Sequence, residues 1–248
     1  MIALDPLLAF THVVARRSAQ ELVELPYGFA VFHGDYPSSY EHNRVVATGP
    51  VEQSRAVDDT DRLFGERGLR HRRIDGAHPA SAGWTMAGYE RTVNLFMVLT
   101  ATPVPSALAG EVEHVPYAVI APAVADAWRR DLPGVDEAVV RQLVERHRLT
   151  AAACHVTHHV IRRDGVPVAR ADLLRDGDMA EVDGVMTEPA WRNQGLARAV
   201  VLDAVRTALG AGCRTVFLIA DGDDWPQALY RKLGFADAGV TVGFTLRS

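Results

Sequence analysis

The chain has 248 residues, of which 48% are hydrophobic, 23% charged and 7% aromatic. This composition excludes collagen-like, mucin-like and wholly disordered chains, and the length predicts one large domain or two small ones. The net charge of −5 gives no overall signature of nucleic-acid binding, and two cysteines are too few for a disulfide framework. The N-terminus lacks the basic region of a signal peptide, and no apolar run reaches the about 18 residues of a membrane span. We therefore expect a soluble cytoplasmic protein.

The N-terminal half shows a weak alternation of strand and helix patterns. The predicted elements are strands at 45–48, 70–74 and 93–99, a long helix at 51–67 and a short helix at 84–88. The segment 102–110 is rich in proline and small residues, which is typical of a linker. We therefore expect two domains, 1–110 and 111–248.

The C-terminal half is more legible. Its predicted elements are a strand at 117–121, helices at 122–130 and 135–148, three strands at 154–162, 166–173 and 180–187, a helix at 196–209, a strand at 215–220, a helix at 225–233 and a strand at 240–246. Asp164 and Gly165 form a strong hairpin signal between the first two of the three consecutive strands. The pattern predicts a mixed α/β sheet in which those three strands form an antiparallel meander.

The two halves can be aligned with each other. A tryptophan, an alanine and a tyrosine recur at the same offsets in 84–89 and 225–230. Both tryptophans follow a predicted strand end at similar distances, 36 and 38 residues. This agreement favours an internal duplication.

The stretch 192–197 carries the clearest chemical signal. It follows a strand and Pro189, and it opens the long amphipathic helix. A glycine-containing turn at a helix N-terminus presents unpaired N–H groups and the positive end of the helix dipole, which suits a phosphate or pyrophosphate. Gly195 and Ala197 are small where the phosphates approach the backbone, and Arg192 and Arg198 can add charge-assisted hydrogen bonds.

Two motifs together resemble the GNAT (Gcn5-related N-acetyltransferase) superfamily. The first is the R-x-x-G-x-A pattern that begins at Arg192, and the second is L-Y-x-x-L-G-F at 229–235. The resemblance covers about 115–247. The N-terminal half looks like a degenerate copy, because it has no counterpart of the first motif. The resemblance implies a mixed, mostly antiparallel sheet flanked by helices, with two tandem units of this kind.

The resemblance also implies acetyl-CoA as the acyl donor and assigns roles to individual residues. Backbone groups of the strand before the turn would pair with the pantetheine arm, here at Val185 and Thr187. The pyrophosphate would lie on the turn, here formed by Arg192, Gln194, Gly195, Leu196 and Ala197. Tyr230 matches the family tyrosine that protonates the leaving thiolate; a packed core aromatic is the alternative interpretation.

The general base is harder to predict. Glu181 and Asp183 lie two residues apart on the same strand and so share a face. Glu181 is the first choice and Asp183 the second, with a solvated strand face as the alternative. Many relatives carry a glutamate at the position of Leu218 and an asparagine at that of Asp223, so these departures make an assignment by homology unsafe.

Three further features allow two interpretations each. The acidic loop at 221–224 could attract a cationic amine, or Asp224 could simply cap the next helix. His155, His158 and His159 do not converge on one face of a strand, so we expect packing roles and no metal. The polar, aromatic segment 32–43 could line a substrate cleft between the halves or form a surface loop.

The sequence thus predicts an acetyl-CoA-dependent N-acetyltransferase that acts by direct transfer to a primary amine. The acceptor is a small molecule or a peptide, with no nucleic-acid or membrane partner, and a homodimer stays open. The alternative is a CoA-binding regulatory or interaction module that has lost catalysis.

Overall fold

The computed structural model of the protein describes residues 3–104, 106–223 and 226–247. The helices are α1 (Leu4–Ser18), α2 (Gln53–Glu66), α3 (Tyr117–Asp131), α4 (Glu137–Glu145), α5 (His147–Ala153), α6 (Leu196–Gly210) and α7 (Pro226–Lys232). The strands are β1 (Glu21–Leu25), β2 (Gly28–Phe32), β3 (Arg44–Ala47), β4 (Arg72–Gly76), β5 (Glu90–Leu99), β6 (Glu113–Val115), β7 (His155–Arg163), β8 (Val166–Asp176), β9 (Met179–Thr187), β10 (Thr215–Asp221) and β11 (Phe235–Leu246).

The strands form a single sheet in the order β1-β2-β3-β4-β11-β5-β10-β9-β8-β7-β6. The pairs β3–β4 and β9–β10 are parallel and the other pairs are antiparallel. This confirms the predicted mixed, mostly antiparallel sheet and its β7–β8–β9 meander. The two long central strands are exchanged: β5 of the N-terminal half lies between β11 and β10, and β11 lies between β4 and β5.

Helices cover both faces of the sheet. Along β10, Val216 and Leu218 pack in the cluster that contains α6, while Phe217 packs with Leu7 and Phe10 of α1. This alternation is the period of two that a strand imposes on its side chains. The buried core of the C-terminal half is therefore shared with α1, from the beginning of the chain.

The predicted strand at 117–121 is wrong, because these residues form the first turns of α3. Ile120, Val124 and Ala127 are buried at helical spacing, and Pro116 stands at the N-cap. Pro122 lies inside this helix and does not end it. The first strand of this half is instead the short β6.

The predicted helix at 84–88 is also wrong. A 3₁₀ helix spans Pro79–Gly83, and Trp84 follows it in an extended conformation. Trp84 is buried against Phe244, with ring centroids 6.0 Å apart, and Gly88 takes a positive φ of 81°. Packing of the tryptophan and this glycine conformation decide the local structure. The patterns at the start of the chain also missed α1, β1 and β2.

The predicted division at residue 110 and the duplication stay predictions. The structure shows that strand–helix–parallel strand units occur in both halves, as β3–α2–β4 and β9–α6–β10. It also shows one continuous sheet across the division. No helix within the described ranges has the length and apolar character needed to cross a membrane.

Candidate active site

The two parallel strands at the centre of the C-terminal half separate midway along their length. Their register begins at Met179–Thr215 and ends at Val182–Leu218. Beyond this point β9 stays paired with β8 as far as Thr187, and β10 stays paired with β5 as far as Asp221. Each strand thus follows its outer neighbour, and a gap opens between them. Backbone groups of β9 that face the gap are free to pair with a ligand.

The turn after β9 has the open backbone geometry that could hold an anion. Gly195 precedes α6 with φ of 79°, a left-handed conformation that favours glycine, and Asn193 also has a positive φ of 62°. A Cβ on Gly195 would meet only Leu108, at 3.9 Å, so the turn is open. The first backbone N–H groups of α6 lack helical partners and carry the positive end of the helix dipole.

The cofactor residues predicted from the sequence follow one another along the separated part of β9 and the turn before α6. Val185 and Thr187 are half-buried on the separated part of β9, and the hydroxyl of Thr187 is buried without a hydrogen-bond partner among the described residues. Arg192 is exposed, and its Nε donates to the carbonyl of Thr187 at 3.3 Å. Gln194 and Gly195 are exposed, Leu196 is buried and Ala197 is half-buried. The open turn, the gap and the unpartnered hydroxyl fit a pantetheine–pyrophosphate ligand.

A cavity of about 460 Å³ opens where β9 and β10 separate. Asp183 and Gly184 of β9 and Ile219 of β10 line its inner end. Its other walls come from both halves of the chain and include Glu41, His42, Tyr117, Trp128, Arg146, His147 and Asp172. A smaller cavity of about 130 Å³ continues past Glu181 to α1. We call the two together the acceptor cleft.

Glu181 and Asp183 are the two carboxylates of the acceptor cleft that no basic side chain of the described residues pairs with. Glu181 is only 8% exposed. Burial and the charges of Asp183 and Glu41 raise the pKa of Glu181 well above its usual value. Asp183 is exposed to the cleft, yet desolvation by its walls and the charge of Glu41 raise the pKa of Asp183 to about 6. The pair can therefore hold or take up a proton near neutral pH.

The other charges of the cleft are matched. Arg146 lies 3.4 Å from Glu41, and Asp172 contacts His158 at 2.7 Å. Burial lowers the pKa of both His42 and His147 to about 4, so these rings are neutral at physiological pH. The carboxyl groups of Glu181 and Asp183 are consequently the unmatched acidic groups of the cleft.

Tyr230 lies in α7, 8% exposed, within the core cluster that contains α6. Burial, with a contribution from the charge of Asp183, raises the pKa of Tyr230 to about 12. The tyrosine is thus protonated at working pH, and it lies within electrostatic reach of the carboxylate pair. Its packing in the core is thus observed, and its role as the proton donor to the thiolate stays a prediction.

Two residues of the segment 32–43, Glu41 and His42, line the acceptor cleft, and the substrate role of this segment stays a prediction. The side chain of Asn43 accepts from the backbone N–H of His33 at 3.0 Å and donates to the carbonyls of Tyr36 and Ser39 at 2.8 and 2.9 Å. This network fixes the loop and directs Glu41 into the cleft. Sequence patterns gave the loop but not the individual residue.

The three histidines of β7 lie in different environments. His158 and His159 are buried and hydrogen-bond different aspartates, while His155 is exposed. His159, His114 and Asp203 form a group of metal-ligand type, with the two rings 2.8 and 2.7 Å from one oxygen of Asp203. The guanidinium of Arg206 occupies the other oxygen, so this aspartate is already neutralised by hydrogen-bond donors.

The acidic loop after β10 is partly described. Asp221 accepts a hydrogen bond from the backbone N–H of Asp223 at 2.9 Å, which stabilises the turn. The predicted cap at Asp224 and the repeated Trp225 lie outside the described residues. Leu218 is buried in the core, where it offers no catalytic group.

A larger open cavity of about 800 Å³ lies between α3, the β7–β8 hairpin and Pro189. Its acidic residues include Asp126 and Glu188, which pair with Arg129 and Arg130 at 2.7 and 3.1 Å. Because those charges are matched and the carboxylate pair lies elsewhere, we do not assign the candidate active site to this cavity.

Residues 121–235 match the model of the acetyltransferase (GNAT) family. This chain contains a GNAT domain. The matched range includes the separated strands, the turn at Gly195 and Tyr230, the features that the motifs predicted. No protein of curated function matches the sequence.

Solved structures share the fold over most of the chain. A functionally unknown conserved protein from Staphylococcus epidermidis superposes with a TM-score of 0.70 at 16% identity, covering 93% of this chain and 94% of its own. A GCN5-related N-acetyltransferase from Kribbella flavida has a TM-score of 0.64 at 23% identity, covering 100% and 96%. One from Sphaerobacter thermophilus has a TM-score of 0.57 at 16% identity, covering 88% and 76%. The N-terminal half is thus part of a shared architecture.

Proposed function

We propose that this protein transfers the acetyl group of acetyl-CoA to a primary amine, which attacks directly while both substrates are bound. The observation that carries the proposal is the meeting of the strand gap and the acceptor cleft at Asp183. A donor held in the gap and an amine held in the cleft would come together there. Holding two reactants in one geometry removes a large part of the entropic barrier.

The carboxylate pair would receive the proton of the acceptor's ammonium group. Asp183 is the better immediate proton acceptor, because it is exposed to the cleft and its charge contributes to the raised pKa of Tyr230. Glu181, by contrast, is almost enclosed. The two carboxyls are coupled, so they titrate as a pair. Glu181, whose pKa is raised by the charge of Asp183, would then share the proton that Asp183 takes up.

The donor supplies an electrophilic thioester carbonyl and a thiolate leaving group. Val185 and Thr187 would pair with its pantetheine arm through their backbones. Arg192, Gln194, Gly195, Leu196 and Ala197 would hold its pyrophosphate. Tyr230, protonated at working pH, would donate its proton to the departing sulfur.

The test is release of free thiol from acetyl-CoA with a panel of small-molecule and peptide amines. We expect turnover with at least one class and an activity that rises with pH through about 6, as Asp183 loses its proton. Asp183→Asn should lower turnover about 100-fold or more. Asp178→Asn, a change at an exposed aspartate paired with Arg214, is the matched control and should not alter turnover.

Binding of acetyl-CoA without thiol release for any amine would favour the CoA-binding module without catalysis. Calorimetry with acetyl-CoA separates this result from a failure to bind the donor at all.

A further inference from the structure

We propose that Glu41, supplied by the N-terminal half, is a positioning residue of the acceptor site whose negative charge acts on Glu181 and Asp183 and strengthens the hold on a cationic amine. The inference rests on the proposed function, since it assigns the amine to the acceptor cleft. It gives the N-terminal half a part in the reaction, although the predicted cofactor residues all lie in the other half.

The first argument is placement. Glu41 lines both cavities of the acceptor cleft together with Glu181 and Asp183. Glu181 is more than nine-tenths buried, and among the described residues its carboxylate has no ion-pair or hydrogen-bond partner. An enclosed carboxylate without a partner is stabilised either by taking up a proton or by a cationic ligand in the cavity that it faces.

The second argument is rigidity. The loop that carries Glu41 docks on the C-terminal half, where the backbone N–H of Ser38 donates to Gln142 at 3.1 Å and Arg146 donates to Ser39 at 3.0 Å. The same Arg146 lies 3.4 Å from Glu41. The loop is therefore fixed on the C-terminal half, and Arg146 pairs with the carboxylate of Glu41 there.

The third argument is electrostatic. The charge of Glu41 contributes to the raised pKa of both Glu181 and Asp183, after burial and desolvation. The titratable and charged groups around the pair are Glu41, His42 and Arg44 from the N-terminal half, Tyr117 of α3, Arg146, His147 and Cys154 around α5, His158 of β7, Arg170 and Asp172 of β8, and Tyr230 of α7. Of the acidic members, Glu41 alone comes from the N-terminal half.

The experiment compares Glu41→Gln with Glu24→Gln, a second glutamate of the N-terminal half that also pairs with an arginine and is not among the residues that line the cleft. We expect Glu41→Gln to move the acid limb of the pH–activity profile down by about half a pH unit, the size expected of one charge across a solvated cleft. We expect the KM for the amine to rise about 3- to 10-fold, with the KM for acetyl-CoA unchanged. Glu24→Gln should change neither.

A readout independent of activity is the titration of the Asp183 side-chain carboxyl by ¹³C NMR, assigned with Asp183→Asn. Its midpoint should fall in Glu41→Gln and not in Glu24→Gln. An unchanged midpoint would overturn the inference even in an active enzyme. Absence of turnover with every amine would instead contradict the proposed function, while the NMR titration would still decide whether Glu41 acts on Asp183.

The freed Arg146 could lower the midpoint by itself once its partner is neutral. The double variant Glu41→Gln, Arg146→Gln is therefore compared with Arg146→Gln alone, in which that charge is already absent. A midpoint that is lower in the double variant than in Arg146→Gln supports Glu41 as the cause, and equal midpoints assign the effect to Arg146 and refute the proposal. Thermal unfolding of each variant checks that the docked loop survives.

Discussion

The two strand–helix–strand units of the sheet differ at the place where a ligand would enter. In the C-terminal unit, β9 and β10 lose their pairing after Val182 and Leu218. In the N-terminal unit, β3 and β4 stay paired to Ala47, the last residue of β3. The carbonyl of Ala47 then accepts from the N–H groups of Ala77 and His78, at 2.9 and 3.1 Å. One unit is therefore open between its strands and the other is closed.

The turns that follow these strands differ in the same sense. Asn193 and Gly195 take positive φ before α6, whereas none of the residues 48–52 before α2 does. Glu52, the N-cap of α2, has φ of −68° and an acidic side chain, which is unfavourable next to a bound phosphate. The two units thus share an order of elements but differ in strand separation and in one turn, which are the features that the proposed cofactor site depends on.

The strongest test of this contrast is a pair of glycine changes in the two turns. Gly195→Glu places a side chain at φ of 79° and a negative charge where the pyrophosphate would lie, so acetyl-CoA affinity should fall at least 100-fold. Gly49→Glu lies in the turn of the closed unit. Its Cβ would make an ordinary van der Waals contact, 3.7 Å from a backbone oxygen, and the acetyl-CoA affinity should stay unchanged. Calorimetric titration measures both. Equal losses in the two variants would mean that the open turn is not the binding site.

The parts that sequence predicted well depend on local signals. Glycine and proline punctuation gave the β7–β8 hairpin and the turn at Gly195, and strand periodicity gave the meander. The strand predicted at 117–121 is wrong because Pro122 lies inside a helix and does not end a strand, and the helical spacing of buried Ile120 and Val124 decides that segment.

The acceptor cleft could not be derived in the same way. Its walls combine α1, the loop with Glu41 and the strand with Glu181, which are distant in sequence and meet only through the folded sheet. No local pattern announces such contacts. The exchange of β5 and β11 between the halves of the chain has the same cause, because their pairing partners are distant in sequence.

A second test compares the two tyrosines at matching offsets. Tyr230→Phe should lower turnover about 10- to 100-fold with little change in acetyl-CoA affinity, because it removes the proton donor but keeps the packing. Tyr89, the counterpart, has a buried hydroxyl without a hydrogen-bond partner among the described residues. Tyr89→Phe should leave turnover unchanged. Steady-state kinetics across pH measure both, and a Tyr230→Phe enzyme with wild-type turnover at every pH would remove Tyr230 from the mechanism.

The smallest expected effect concerns how the carboxylates of each unit change the free energy of unfolding. In the closed unit, Asp75 pairs with Arg73 and Arg44 at 2.7 and 3.3 Å, whereas Glu181 in the open unit is buried without such a partner. Because the folded state raises the pKa of Glu181, it binds more protons than the unfolded chain does above the ordinary glutamate pKa. Stability is therefore lost as pH rises from that value through the folded pKa.

Glu181→Gln removes this ionisation, so the variant should unfold about 2–4 °C above the wild type at pH 8, which corresponds to about 1 kcal/mol. Near pH 4 the carboxyl is largely protonated in both states, and the gain should disappear. Asp75→Asn should instead lower the unfolding temperature, because it breaks two ion pairs. Thermal melts at the two pH values measure all three proteins. A Glu181→Gln variant that is less stable than the wild type at pH 8 would show that Glu181 is a structural carboxylate. Its ionised form would then not destabilise the fold of the open unit.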